Sequence, residues 1–333
     1  MKNKRMTALM LAAILGPAGS SLAMAEYVTI TPLGQVTGEF CRADRALLLE
    51  DPTGTRVLYD PGRTVAGGTD SRLGDVDVML LSSVHSDHIG TEKMTQDPDS
   101  STQCAGNPTR VPSANSNFAE IAAATGARVI VGGQMRDFLR AKVTAEGGAS
   151  SQVDILRHGG KRTIGGVTIA VVRADHANGV PREILDPALA GALAPDGLTA
   201  YAGPENGYVL TFSNGLAVYL SGDTGHTSDM ATIVRGYYGA DVAVLNMGDI
   251  FSMGPEEAAF AVNELIKPRT AIPSHANQAS TSGGSVIPGT RVETFMKLVN
   301  GNGSKNEGRG HSTVLLPLSG VPISCDGKGR CVQ

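Results

Sequence analysis

Short apolar runs separated by turn residues dominate the first third of the chain. They predict strands at Val28 to Thr31, Ala46 to Leu49 and Arg56 to Tyr59, the last two joined by the turn sequence Asp-Pro-Thr-Gly. The run Val76 to Ser82 is almost continuously apolar, which is typical of a strand that is buried on both faces. This strand is therefore predicted to lie inside the molecule.

Strands and helices alternate through the rest of the chain. The predicted helices are Phe118 to Ala124, Met135 to Val143, Pro255 to Ile266 and Val292 to Val299. The predicted strands are Arg128 to Val131, Val167 to Val172, Tyr208 to Ser213, Leu216 to Ser221, Asp241 to Leu245, Thr270 to Ile272 and Thr313 to Leu316. Two stretches show no obvious structure, Thr91 to Ser113 and Asp186 to Glu205, and long irregular segments are often functional lids.

The first 25 residues have the pattern of a secretory signal peptide. Lys2, Lys4 and Arg5 precede a short apolar stretch, and the sequence AMA at 23–25 supplies a cleavage site. The apolar stretch is too short to cross a bilayer, and no later segment reaches the roughly 20 apolar residues required. We therefore predict one mature domain over residues 26–333 that is periplasmic or secreted, without stable membrane insertion after signal cleavage.

Composition narrows the classes of function. Of the 333 residues, 41% are hydrophobic and 18% charged, which is enough apolar material for a substantial core. Aromatic residues make up 4% with no Trp, and 28 basic residues stand against 32 acidic ones. Because a nucleic-acid surface needs basic patches or stacking aromatics, we predict no nucleic-acid partner. A small-molecule substrate is the expected partner, and assembly into a homo-oligomer is compatible with the sequence.

Four cysteines in an exported chain indicate disulfides. Cys325 and Cys331 flank a short flexible loop that could close on itself, which would leave Cys41 and Cys104 as the second pair. Four cysteines allow three pairings, so the sequence does not decide between them. A thiolate metal site is the alternative, but the chain has no C-x-x-C motif.

The strongest chemical signal is the segment SVHSDHIG at 83–90, directly after the predicted strand that ends at Ser82. His85, Asp87 and His88 place three potential ligands within four residues. Imidazole and carboxylate are ligands that zinc and manganese accept. Taken alone, the motif is also compatible with a solvated polar loop.

Three further candidate ligands each follow a predicted strand. They are His176, Asp223 and His275. The ends of strands are where layered α/β folds collect their functional groups. The combined pattern therefore predicts a metal site.

The order of these motifs, S-x-H-x-D-H, a lone His, S-G-D-T-G and P-x-H, resembles the metallo-β-lactamase superfamily. Within it, the segment NMGDIFSMGPEEAA at 246–259 resembles the metal-dependent hydrolase group related to ascorbate-phosphate lactonase. The resemblance extends over roughly residues 45 to 316, with five motifs in the family's order. It implies an α/β (α+β) fold, a four-layer αββα sandwich with the metal site at one edge between the two sheets.

Carried over position by position, the resemblance implies two metal half-sites. The complete one consists of Asp87, His88 and His275, with Asp223 bridging both metals. The other consists of His85 and His176, and it lacks a histidine because Ser83 stands in its place. The resemblance therefore implies one tightly held zinc ion, with manganese as the alternative metal and a second ion weaker or absent.

Four other residues are candidates for the surroundings of the site. Asp60 resembles a family aspartate near the metal and could support a ligand histidine, or it could be only a turn residue. His226 could reach a substrate, although an exposed loop histidine is the alternative. Asn246 and Asn277 could donate hydrogen bonds near the site, although Asn is common in loops.

The implied chemistry is hydrolysis. Zinc lowers the pKa of bound water to about 7, so a metal-bound hydroxide would attack an activated carbon of a lactone, ester or amide. Asp87 is the predicted catalytic residue, which would orient the nucleophile or move its proton.

Two alternative functions stay open. One is a hydrolytic dehalogenase of a chlorinated aromatic, because a similar Ser-for-His departure occurs there within the family. The other is a non-catalytic metal- or partner-binding protein on the same fold.

Overall fold

The computed structural model describes residues 26–94, 104, 109–111, 115–301 and 312–333. The predicted signal peptide lies outside the described residues, as does much of the stretch from Thr91 to Ser113. Among the described helices, none has the length and apolar character that crossing a membrane requires.

The described chain alternates strands and helices. In chain order the strands are β1 Val28–Pro32, β2 Leu47–Glu50, β3 Arg56–Tyr59, β4 Val78–Leu80, β5 Glu92–Lys93, β6 Thr109–Arg110, β7 Arg128–Val131, β8 Val153–Ile155, β9 Lys161–Ile164, β10 Val167–Arg173, β11 Asn206–Thr211, β12 Ala217–Leu220, β13 Val242–Asn246, β14 Thr270–Ser274, β15 Thr281–Ser282, β16 Ser285–Val286, β17 Thr313–Val314, β18 Ile323–Cys325 and β19 Cys331–Val332. The α-helices are α1 Asn117–Thr125, α2 Met135–Ala145, α3 Pro187–Leu193, α4 Pro255–Phe260 and α5 Arg291–Gly301.

Two large sheets form the frame of the molecule. The first has eight strands in the order β19-β18-β1-β2-β3-β4-β7-β8, antiparallel as far as β3 and parallel from β3 to β8. The second has seven strands in the order β17-β14-β13-β12-β11-β10-β9. In it β11 runs antiparallel to both β10 and β12, whereas β12, β13, β14 and β17 are parallel. As a result β10, β12 and β14 all end at the same edge of this sheet.

Three hydrophobic clusters separate four layers. Along β2, Leu47 and Leu49 pack between the two sheets, while Leu48 packs on the opposite face against the layer that contains α1 and α2. This alternation follows from the two-residue period of a strand, with apolar residues on both faces. A third cluster packs the outer face of the second sheet against α5 and the helical segment from Pro255 to Ile266. The predicted four-layer αββα sandwich is confirmed.

The structure also differs from the predicted elements. Part of the stretch from Asp186 to Glu205, predicted to be irregular, is the helix α3, and the Asp186 side chain accepts hydrogen bonds from the first backbone N–H groups. This helix is short and has no fully buried residue, so no amphipathic pattern marks it. The strands β8, β18 and β19 have no predicted counterpart. The predicted helix from Pro255 to Ile266 continues beyond α4 as a π-helical turn.

Two disulfides join Cys41 to Cys104 and Cys325 to Cys331, the pairing that the loop between Cys325 and Cys331 favoured. The second closes the hairpin of β18 and β19 at the edge of the first sheet. None of the cysteines is left free to bind a metal.

Candidate metal centre

A single π-helical turn, Ser86–Gly90, follows β4 and carries two of the candidate ligands. The backbone N–H of Ile89 donates to the carbonyl of His85 at 3.0 Å, which projects Asp87 and His88 from neighbouring positions of the turn. Gly90 ends the turn with a φ of 74°, and a Cβ there would lie 2.3 Å from the carbonyl oxygen of Gly62. Only glycine combines this conformation with so close a backbone approach.

Four candidate ligands converge from three strand ends, and we call them site 1. Their ligand atoms all lie within 4.8 Å of one another, and the residues are Asp87, His88, Asp223 and His275. Oδ2 of Asp223 lies 3.2 Å from Nε2 of His88 and 3.3 Å from Nε2 of His275. Nε2 of His275 also lies 3.1 Å from Oδ2 of Asp87. All but Asp87 are buried.

The buried polar atoms of site 1 fit a divalent cation. Nε2 of His88 and Oδ1 of Asp223 make no hydrogen bond of good geometry within the described part of the chain. Burying such atoms without partners is costly, so a native site normally satisfies them. Two imidazoles and two carboxylates are a donor set that zinc and manganese both accept.

The charges around site 1 reinforce this reading. Burial alone would lower the pKa of His88, but the negative charges of Asp223, Asp87 and Asp60 outweigh it and raise the pKa well above its usual range. Burial alone would likewise raise the pKa of Asp87, but the Arg45 guanidinium and the two histidines hold it well below its usual range. The site therefore concentrates negative charge that attracts a cation.

Asp60 lies directly behind His88. Its Oδ2 accepts a hydrogen bond from Nδ1 of His88 at 2.8 Å, and its Oδ1 accepts one from the backbone N–H of Ser82 at 2.8 Å. A proton on Nδ1 leaves the lone pair of Nε2 directed into site 1. Asp60 and His275 have φ values of 41° and 51°, in the left-handed region, and such backbone strain is typical of functional sites.

The remaining candidate ligands form a second cluster, which we call site 2. It consists of His85, His176 and Glu205, whose ligand atoms also lie within 4.8 Å of one another. The two imidazole rings meet edge to face at 5.2 Å, and Nδ1 of His85 lies 3.6 Å from Oε1 of Glu205. The sequence had singled out both histidines but not Glu205.

Glu205 is fully buried and lies immediately before β11. Burial raises its pKa to about 9, against the opposing charge of His88. Burial lowers the pKa of His85 to about 4, so this imidazole is neutral at physiological pH and the lone pair of one ring nitrogen is available to a cation.

The buried residue Ser83 supports the backbone that carries His85. Its hydroxyl accepts a hydrogen bond from the backbone N–H of His85 at 3.1 Å and lies 3.3 Å from Oδ1 of Asn178. The same oxygen of Asn178 accepts the backbone N–H of Val84 at 2.9 Å. Asn178, which the sequence did not single out, therefore fixes the backbone that carries His85.

The other three candidate residues, Asn246, Asn277 and His226, differ in their relation to the two clusters. Asn246 is buried and donates to the carbonyl of Thr224 at 3.2 Å, which secures the loop that carries Asp223. Asn277 lines the cleft and donates to the carbonyl of Gly248 at 3.2 Å. His226 is exposed, packs edge to face on Phe260 and belongs to neither cluster.

Both clusters open into one cleft of about 1220 Å³. Its polar lining is rich in arginine, with Arg42, Arg45, Arg63, Arg182 and Arg291. Arg45 is buried and forms an ion pair with Asp87. Ile250 and Phe251 form an exposed apolar tip on the same cleft, with 85% and 65% of their surface exposed.

Comparisons with known proteins agree with the fold. Residues 43–275 match the family model described as a beta-lactamase superfamily domain. A UPF0173 metal-dependent hydrolase from Koribacter versatilis is 29% identical over 228 residues, 67% of this chain and 77% of the relative. Another from Cupriavidus necator is 28% identical over 289 residues, 81% of this chain and 86% of the relative. A metallo hydrolase structure from Ignicoccus hospitalis, at 20% identity, has a TM-score of 0.57 and covers 90% of this chain and 99% of its own, which shows the shared fold alone.

Proposed function

The chain belongs to the beta-lactamase superfamily, and we propose that it is a metal-dependent hydrolase of small molecules with an activated carbon, namely a lactone, ester or amide. The observation that carries this proposal is site 1, where four ligand side chains converge and two buried polar atoms make no well-formed hydrogen bond among the described residues. The names of the relatives from Koribacter and Cupriavidus support it. The lactone is our first choice because of the segment at 246–259.

Zinc is the proposed metal of site 1, with manganese as the alternative; when bound, either supplies Lewis acidity and lowers the pKa of a coordinated water. The chain's own residues hold the cation and orient what approaches it. His88 and His275 offer neutral nitrogen donors once a cation replaces their protons. Asp60 keeps the ring of His88 in the required orientation.

Asp87 is suited to orienting a nucleophile. Its carboxylate pairs with the buried guanidinium of Arg45, and this charge favours the ionised form. An ionised carboxylate accepts a hydrogen bond from water and so can direct the water's oxygen toward a substrate carbon. Arg45 opposes protonation of Asp87. We therefore propose that Asp87 binds metal and orients the nucleophile, and that it does not act as a proton acceptor.

The cleft favours a substrate that carries negative charge. Arg42, Arg63, Arg182 and Arg291 line it, and of these Arg63 lies 3.5 Å from Glu92 and Arg291 lies 3.7 Å from Asp249. Guanidinium groups bind carboxylate and phosphate through paired hydrogen bonds. The exposed tip of Ile250 and Phe251 could contact an apolar part of the same molecule.

The test is a hydrolysis screen of the purified protein in three states: metal-free, zinc-loaded and manganese-loaded. Lactones, esters and amides are compared as matched pairs with and without a carboxylate. We expect turnover only in a metal-loaded state and faster for the charged member of each pair. Turnover that survives complete metal removal would overturn the proposal.

Two alternatives are arms of the same screen. Release of halide from chlorinated aromatics, without ester or lactone cleavage, would identify the hydrolytic dehalogenase. Tight metal binding with no turnover of any class would favour a non-catalytic metal- or partner-binding protein.

We further propose that the mature domain is exported to the periplasm or beyond. The pattern of the first 25 residues and the two disulfides support this, because disulfides persist in oxidising compartments. N-terminal sequencing of the protein from its native host should begin at Glu26. An N-terminus that retains Lys2 would contradict export by this route.

A further inference from the structure

Site 2 contains a potential ligand, Glu205, that no sequence motif indicates. The resemblance to the superfamily implies only two histidines for this half-site, because Ser83 occupies the position of a third. The fold instead supplies a carboxylate from another strand. Glu205 directly precedes β11, which runs antiparallel to β10 and β12.

The sheet register explains how Glu205 reaches the site. Tyr208 pairs with Leu220 and Val209 with Tyr219, so the same register continued beyond the strands sets Glu205 opposite Asp223. A strand that runs antiparallel to its neighbours begins at the edge where they end. Glu205 therefore arrives at the edge that already carries His176 and Asp223.

The surroundings of Glu205 point to a missing cation. The residue has no exposed surface, and neither carboxylate oxygen has a partner at hydrogen-bond distance and angle within the described chain. Nδ1 of His85 lies 3.6 Å from Oε1 of Glu205, which is too far for a hydrogen bond. Oδ1 of Asp223 is also buried without a partner. A structural role in packing would leave these oxygens unsatisfied at considerable cost.

We propose that Glu205 replaces the missing histidine, and that His85, His176 and Glu205 bind a second divalent cation beside site 1. Two imidazoles and one carboxylate are a donor set that Zn²⁺, Fe²⁺ and Mn²⁺ all accept. Both clusters offer imidazole and carboxylate donors, so the same divalent metals suit both positions.

The test uses Mn²⁺ as the probe with metal-free full-length mature protein. Free Mn²⁺ is counted by its electron paramagnetic resonance signal during a titration. We expect the wild type to bind two ions and Glu205→Gln to bind one, with affinity for the second ion reduced at least about 100-fold, since even supporting residues of metal sites cost 10–100-fold. Two ions a few ångströms apart should also give a spin-coupled spectrum, which Glu205→Gln converts to that of an isolated ion.

Two variants serve as controls. Glu183→Gln changes the same residue type at an exposed position of the cleft and should still bind two ions. If Glu205→Gln does not fold, His176→Gln removes a donor from the half-buried side of site 2 and should also leave one ion.

The possible outcomes separate this inference from the proposed function, whose metal occupies site 1. A wild type that binds one ion, unaffected by Glu205→Gln, overturns the inference and leaves the proposed function intact. The same holds if Glu205→Gln binds two ions as tightly as the wild type. A wild type that binds no ion overturns both. Loss of the first ion in His275→Ala with retention of the second supports both.

Discussion

Site 1 and site 2 lie at the same sheet edge but are built in different ways. In site 1, every imidazole has a carboxylate within 3.3 Å, and Asp60 and Arg45 support His88 and Asp87 from behind. In site 2, the two histidines are half-buried, and the one carboxylate is buried without a hydrogen bond to any described residue. Site 1 is thus preorganised by its neighbours, whereas site 2 would gain its order mainly from the cation itself.

This contrast has a thermodynamic consequence. Ion pairs and hydrogen bonds satisfy much of site 1 before a metal arrives, so its geometry is held in the metal-free protein. For Glu205, the cost of burying the carboxylate outweighs the opposing charge of His88 and the contact with Ser83, so its burial costs stability until a cation binds. We therefore expect site 1 to dominate affinity and turnover, and site 2 to dominate the effect of metal on stability.

The largest effect should come from Asp87→Ala. The change removes a site 1 ligand and leaves the buried Arg45 without its partner. We expect kcat/KM to fall about 10²–10³-fold, the size seen when one preorganised catalytic group is removed. Steady-state kinetics of the metal-loaded variant measure this.

The matched control is Asp175→Asn, whose side chain is 62% exposed and belongs to neither cluster. It should retain wild-type kinetics. Equal losses in the two variants would show that the effect is not specific to site 1.

A smaller effect is expected for Asp60→Asn. Asn tolerates the φ of 41° at this position but no longer offers a charged acceptor to Nδ1 of His88. We expect the affinity of site 1 for zinc to fall about 10–100-fold, as for other residues that orient ligand histidines. Competition with a chromogenic chelator measures the affinity. Unchanged zinc affinity would show that Asp60 does not orient His88 for metal binding.

The stability of metal-free protein should reveal the cost of Glu205. Its pKa is about 9 in the folded chain against an ordinary value of 4.5, so the folded state binds more protons between these values. The free energy of unfolding of the wild type should therefore fall as pH rises through this window, and Glu205→Gln should lack this contribution. Urea unfolding in the presence of a chelator measures this at about pH 6 and about pH 8.5. Between these two pH values, the free energy of unfolding of Glu205→Gln should rise relative to that of the wild type. If the free energy of unfolding had the same pH dependence in both proteins, Glu205 would not be an unpaired buried carboxyl.

The smallest effect is expected for His226→Ala. This histidine is exposed on Phe260 and outside both clusters, so metal content should be unchanged and kcat/KM within about twofold of the wild type. Kinetics and elemental analysis check both quantities. A large loss of activity would place His226 in contact with substrate.

The contrast between the sites also explains what could be predicted from the sequence. Site 1 residues and both site 2 histidines follow strands whose apolar patterns are clear, so their common location follows from the end-of-strand rule. Glu205 precedes its strand instead, and only the antiparallel direction of β11 brings it to that edge. Strand direction is a property of the assembled sheet, which local pattern does not encode.

Two supporting residues were missed for related reasons. Arg45 lies just before β2 in an apolar run, and its pairing with Asp87 joins positions 42 residues apart. Asn178 acts on a backbone segment 94 residues away. The helix α3 was missed because it is short and none of its residues is fully buried. By contrast, the four layers were predictable because two-faced apolar strands and amphipathic helices leave few other arrangements.

Elemental analysis of the purified mature protein shows whether site 1 binds a divalent metal. We expect at least one tightly held zinc or manganese ion per chain, and one ion fewer in His275→Ala with an unchanged circular dichroism spectrum. A wild-type protein that contains no metal, and takes up none when zinc and manganese are added, would contradict it.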